Sequence, residues 1–264
     1  MLKIVRMTKK VFIVALFTVF ISFPVPSFAV DQELVERLDR SAEAFQGLMD
    51  TSDQSIPQDL LKNCEAIAIF PRTLSIAWGL GGEYGKGVVL RHDKAKHDWS
   101  APVFYTIGGL TVGPQIGGQA IDIVLVVMNS KGLNSLLQSK TTLGGDAGIA
   151  LGPAGRNATA STDLGLNAEI YSYSRAKGLY IGLSLKGAMV IPDNNAVKQF
   201  YGQNLSATNI LIEGKVGHNS YTHKLLENLR KYTPGRTPFI WMMTLWVVVL
   251  AGGIFLIGRM MLRK

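Results

Sequence analysis

Between residues 74 and 192, glycines arrive every few residues and separate short runs rich in Val, Ile, Leu, Thr and Tyr. This texture constrains the fold more than any other feature of the chain. Short β-rich runs with Gly, Pro and Asn between them read as antiparallel sheets or a barrel. The expected strands are 75–84, 87–91, 103–111, 120–128, 141–151, 164–173 and 179–190. Glycine weakens a strand interior, so this many of them predict bulges, tight bends or closely packed backbones. Residues 121–127 are apolar on both parities except at Asp122, as in a strand buried on both faces. A carboxylate in such a strand needs a partner or has a function.

Helical periodicity flanks this stretch. Leu34, Val35, Leu38, Ala42, Phe45, Leu48 and Met49 fall at three- and four-residue spacing, which predicts an amphipathic helix over 31–50. Asp31, Glu33, Glu36, Asp39 and Glu43 load its other face and its first turns, where the helix dipole favours anions. A second helix opens near Ser55-Ile56-Pro57 and runs to about Asn63, with the proline in the first turn. Short helices are expected at 131–138, 195–201 and 220–231. The class is therefore α+β: a glycine-rich antiparallel sheet or barrel-like β core, with N-terminal helices and short flanking helices.

Both ends carry membrane signals. Lys9 and Lys10 precede an uncharged apolar run over 11–23, followed by Pro24, Pro26 and the small-residue site at Ser27 and Ala29. That order is a secretory signal peptide over 1–29, cut after Ala29. Residues 239–257 hold no charge and would span about 29 Å as a helix. The expected organisation is a signal peptide (1–29), a folded domain (30–232), a linker (233–238), a transmembrane helix (239–258) and a cytoplasmic basic tail (259–264). With Arg259, Arg263 and Lys264 inside, the domain faces the periplasm from the inner membrane.

These ends also account for the charge. The chain carries +8, of which residues 1–29 supply four and residues 239–264 supply three. The middle is nearly neutral, so the basic balance is no argument for a nucleic-acid partner. Within it, residues 30–85 hold 4 basic against 10 acidic side chains, and residues 86–238 hold 16 against 9. Cys64 is the single cysteine, so no disulfide forms within the chain, and its place before the apolar run 66–70 reads as a small core residue.

Three catalytic or binding motifs are weak on inspection. The glycines around Lys86 lack the spacing of a phosphate loop, since position 80 is Leu and Gly87 stands where Ser or Thr belongs. Ser174 and Lys177 have the Ser-x-x-Lys spacing of acyl-transferring enzymes, but they lie between strands rather than at a helix start. His92-Asp93 and His97-Asp98 bracket a Lys-rich stretch that reads as a polar hairpin loop rather than a zinc site. No cofactor, metal or catalytic residue is implied.

One ordered set of motifs stands above these. It runs from Trp99-Ser100-Ala101-Pro102, through Gly113, Gln115, Ile116 and Gly117 leading into Asp122, to Gly152-Pro153-x-Gly155-Arg156. It continues through Tyr173-Ser174-Arg175-Ala176-Lys177-Gly178 to Lys186-Gly187, and ends at Phe200-Tyr201-Gly202. In this order and spacing the chain resembles the SYLF family over about residues 35–231, the lipid-binding domain also known from yeast actin-patch proteins. The resemblance implies a binding module without catalysis. Eukaryotic members bind phosphoinositides and in some cases actin; bacterial members are small exported envelope proteins, and this chain resembles one of those. In eukaryotic members a basic N-terminal helix contributes to membrane binding, whereas the matching helix here is acidic. The expected contacts with anionic headgroups are accordingly Arg156, Arg175, Lys177 and Lys186, with an envelope scaffold that binds a protein partner as the alternative.

Overall fold

The computed structural model describes residues 30–51, 55–153 and 168–234. The predicted signal peptide, transmembrane helix and basic tail lie outside these residues, as does Arg156. Among the described residues, no helix is long and apolar enough to cross a membrane.

Helix α1 (Gln32–Met49) forms as its periodicity predicts, with the Asp31 carboxylate accepting from the Glu33 N–H at 3.0 Å. It buries Leu34, Leu38, Phe45 and Leu48. Each such side chain contributes about 2 kcal/mol on leaving water, so the apolar face holds the helix in place. Helix α2 (Gln58–Asn63) starts just after the expected opening, with Pro57 as its N-cap rather than in its first turn.

Strands β1 (Ala66–Asp93) and β3 (Val103–Val127) pair antiparallel from Ala66 opposite Val127 to Val89 opposite Val103. Four expected strands and the run 66–70 thus merge into two. The glycines between them bend the backbone but keep its N–H and C=O groups, so the ladder continues where sequence patterning suggested breaks. Register shifts fall between Phe70 and Thr73 and between Trp78 and Leu80. Bulges of this kind increase local twist and bend. The ribbon doubles back on itself: a Cβ placed on Gly85 would overlap the Thr73 side chain, and one on Gly87 would overlap the Ile69 carbonyl.

The remaining strands extend the two limbs of β3. Strand β2 (Asp98–Trp99) closes a polar hairpin on β1, pairing His92 with Trp99. The short strands β4 (Thr141–Thr142) and β5 (Ile149–Leu151) replace the single strand expected over 141–151, because a turn intervenes at 144–146. Strand β6 (Ile170–Ala176) pairs with β3 over 122–127 and with β5 in parallel. Strand β7 (Leu179–Tyr180) returns on β6, and β8 (Met189–Pro192) joins β3 to β4. Among the described residues the result is an eight-stranded curled sheet with one parallel strand pair, a half-barrel within the expected α+β class.

Helices α3 (Ser130–Leu136), α4 (Asn194–Tyr201), α5 (Ala207–Leu211) and α6 (His223–Tyr232) complete the described residues. Helix α5 was not expected. At five residues it is too short for periodicity to reveal, although Ser206 and Asn209 form its capping box. Helix α6 packs on α1, and Arg230 donates to both Asp98 carboxylate oxygens at 2.8 and 3.0 Å. Trp99 Nε1 donates to Thr233 Oγ1 at 3.0 Å, so the chain leaves the domain fixed against the hairpin.

Candidate functional site

The first bulge of β1 sets the site. Arg72 adopts a left-handed backbone conformation (φ 48°), and its N–H donates to Asp122 Oδ1 at 3.0 Å. A non-glycine residue at positive φ is uncommon, and here the Asp122 carboxylate holds it. From that bulge the strand alternates. Thr73 and Ser75 are buried, while Arg72, Leu74 and Ile76 are exposed. On the returning limb Tyr84 is likewise exposed, between buried Glu83 and buried Gly85. Leu74, Ile76 and Tyr84 are 55%, 59% and 53% exposed. Leu74 and Ile76 follow Arg72 on the outgoing limb, and Tyr84 stands two residues before Lys86 on the returning one.

Helix α1 adds the other wall of a cleft of about 190 Å³. Four cations line it, Arg37 and Arg40 from α1 and Arg72 and Lys86 from β1, together with one acid, Glu33. Arg37 is 5% exposed, stacks its guanidinium 5.3 Å from the Phe104 ring centroid, and pairs with Asp193 at 3.2 Å. Glu33 Oε1 accepts from Lys86 Nζ at 2.8 Å and from Arg37 at 3.4 Å. The Lys86 ammonium beside it, and then Arg37, hold the Glu33 carboxyl below the usual carboxylate range. Arg40 pairs with Glu36 at 2.7 Å at the surface. The exposed Arg72 side chain has no ion-pair partner among the described residues. A cleft with this excess of cations can hold an anion, and the apolar side chains beside it can enter an apolar phase.

Of the basic residues chosen from sequence, the three that are described have different settings. Arg175 pairs with Asp122 at 3.0 Å, and its guanidinium fills the space a Cβ on Gly47 of α1 would need. Asp122 therefore has the partner that its apolar strand demanded, and Arg175 braces sheet against helix. Lys177 is exposed on the two-residue turn between β6 and β7, where it (φ 49°) and Gly178 (φ 81°) are both left-handed. That pair of angles matches a type I′ hairpin turn. Lys186, also exposed, lines a separate cavity of about 370 Å³ with Leu151 and Leu183. Sequence reading missed Arg40, Arg72 and Lys86. The alternation of Arg72, Leu74 and Ile76 was visible, but nothing in it shows that the apolar members face outward.

The remaining motifs have structural settings. Ser174 is buried within β6 rather than lying between strands, while Lys177 is on the turn that follows. His92 is buried, with its ring stacked on Trp99 at 4.6 Å, and Nδ1 lies 3.3 Å from the Cys64 carbonyl. Burial lowers the His92 pKa and pushes the Cys64 thiol up to about 12, so Cys64 is the inert core residue expected.

The class defined by this geometry is an α+β domain built on a doubled two-stranded ribbon, with a basic, apolar-fringed cleft where α1 crosses it. Comparison with known proteins adds a family likeness to this geometry. Residues 108–232 match the Ysc84 family model, described as Las17-binding protein actin regulator. LAS seventeen-binding protein 3 of Saccharomyces cerevisiae is 34% identical over 163 residues, 61% of this chain and 35% of the relative. SH3 domain-containing YSC84-like protein 1 of Rattus norvegicus is 30% identical over 183 residues, 69% of this chain and 53% of the relative. Both comparisons support the Ysc84/SYLF family resemblance. The chain spans about a third of the yeast relative's length and about half of the rat relative's. These relatives are named for a protein they bind or for an SH3 domain, not for a reaction.

Proposed function

We propose that this chain is a non-catalytic lipid-binding module of the bacterial envelope, exported and anchored at the inner membrane with its domain facing the periplasm. Its ligand is anionic phospholipid at the membrane surface. The observation that carries this reading is the face combining exposed Leu74, Ile76 and Tyr84 with Arg40, Arg72 and Lys86. Basic side chains are drawn to anionic headgroups by about 1 kcal/mol each, and apolar neighbours gain by entering the acyl boundary. A short linker ahead of residues 239–258 keeps the domain at high effective concentration over its own bilayer, so a weak intrinsic contact suffices. The family resemblance implies phosphoinositide and actin binding in eukaryotic members; in this chain the acidic face of α1 moves the burden to the β1 bend.

A second reading, binding of a protein partner, draws on the name of the yeast relative and on the family description. The same face serves either, and one experiment separates them. Held in phosphatidylcholine nanodiscs, the full-length chain is expected to co-sediment with phosphatidylglycerol vesicles and not with phosphatidylcholine vesicles. The R72Q/K86Q double substitution removes two cations, so partitioning falls about thirtyfold, equivalent to about 2 kcal/mol. Added salt weakens the wild type similarly. Equal partitioning of wild type and R72Q/K86Q removes this face from the lipid reading. Crosslinking that recovers one stoichiometric protein, with no vesicle binding, favours the scaffold.

A further inference from the structure

We infer that the cleft between α1 and the β1 bend is a site for a single phosphate-monoester group, and that Glu33 is its internal stand-in. This rests on the lipid-binding reading above and deepens it: the basic face holds one defined anion seat rather than only a diffuse charge. Glu33 is the one acid among four cations in the cleft lining. Its Oε1 atom bridges Lys86 Nζ (2.8 Å) and Arg37 (3.4 Å), as an oxygen of a bound anion would. The cations around it are unequal in mobility. Arg37 is 5% exposed and fixed by Asp193 and the Phe104 ring, so it is a preset half of the seat. Lys86 and Arg72, on the ribbon, can close on an anion from the other side.

Glu33 is suited to leave. Its side chain is 61% exposed, and it belongs to the first turn of α1, so a change of rotamer takes the carboxylate into water. Exposed ion pairs of this kind are worth little. A phosphate monoester brings a charge near −2 and three acceptor oxygens. Its bonds to guanidinium and ammonium groups are among the stronger hydrogen bonds available. Replacing a single carboxylate oxygen with such a group satisfies Arg37 and Lys86 and also engages Arg72. Leu74 and Tyr84, lining the same cleft, would meet the acyl chains when the anion is a lipid headgroup.

The test uses the full-length chain in neutral detergent, titrated calorimetrically with inorganic phosphate, dihexanoyl phosphatidic acid and dihexanoyl phosphatidylcholine. The expected result is one-site binding of phosphatidic acid and none of phosphatidylcholine. Removing the competing carboxylate with E33Q tightens that binding about threefold to tenfold, and K86Q weakens it. Wild-type binding that E33Q leaves unchanged or weakens overturns the stand-in role, while the lipid reading stands on the vesicle experiment. Absence of phosphatidic acid and phosphate binding in both proteins overturns the seat itself, again independently of vesicle partitioning. Inorganic phosphate bound as tightly as phosphatidic acid, with the E33Q gain intact, keeps the seat and assigns it to soluble phosphoryl anions, against the lipid reading.

Discussion

The Gly87→Ala substitution is expected to destabilise the domain by about 3 kcal/mol or more, the upper part of the range for overpacking a filled interior. A methyl at position 87 would overlap the Ile69 carbonyl oxygen and stand 2.9 Å from its carbon and 2.6 Å from the Phe70 ring. The carbonyl cannot retreat cheaply. It belongs to the β1–β3 ladder, where Ile69 faces Val124, and both residues are fully buried. The two limbs of the ribbon would have to separate, breaking the ladder or opening the core beneath it. Gly82→Ala on the same strand is the matched control, because its methyl would meet only the Gly109 carbonyl oxygen at an ordinary 3.7 Å. Denaturant midpoints should therefore drop sharply for Gly87→Ala and stay near wild type for Gly82→Ala. Equal midpoints for the two variants would show that the limbs are not in backbone contact. Because the cleft is formed by this bend against α1, Gly87→Ala should also weaken anion binding, whereas Gly82→Ala should not.

That contrast shows what was legible in the sequence. The glycine rhythm over 74–192 announced sheet, and closely packed backbones were one of its stated meanings. The periodicity of α1 also read directly, since its apolar stripe faces the core. The doubling of the ribbon did not read, because the contact of Gly87 with Ile69 joins positions whose pairing depends on two bulges and a bend. For the same reason the sequence pointed to Arg175 rather than Arg72. Both are lone arginines in β-rich runs, and only the fold shows Asp122 binding the side chain of one and the backbone of the other. Helix α1 looked unsuited to anions by its net charge, yet Arg37 and Arg40 stand on the side that meets the cleft. Net charge counts a whole helix; a ligand meets one face of it.

Glu83 supplies the second large effect. It points to the inner side of the ribbon with Gly85 and Gly87, is 5% exposed, and its Oε2 atom has no hydrogen-bond partner among the described residues. Burial raises its pKa from 4.5 to about 7. The folded chain thus holds this proton more tightly than the unfolded chain does. The linkage gives a definite sign: this group costs nothing below about pH 4.5, its penalty grows as pH rises towards 7, and it is constant above that. The full penalty is about 3 kcal/mol, since every tenfold gain in proton affinity is worth about 1.4 kcal/mol. Glu83→Gln keeps the shape and cannot ionise. Its stability should match wild type near the acid end of that window and exceed it by up to about 3 kcal/mol on the alkaline side. Other titrating groups are common to both proteins and cancel in the difference, so the difference curve should bend only where Glu83 titrates. Parallel stability curves for wild type and Glu83→Gln would mean that the carboxylate is solvated in the folded chain. A curve that bends as expected places an ionisable group on the inner side of the same limb whose outer side presents Tyr84 and Lys86. The limb would then be held most firmly under mildly acid conditions.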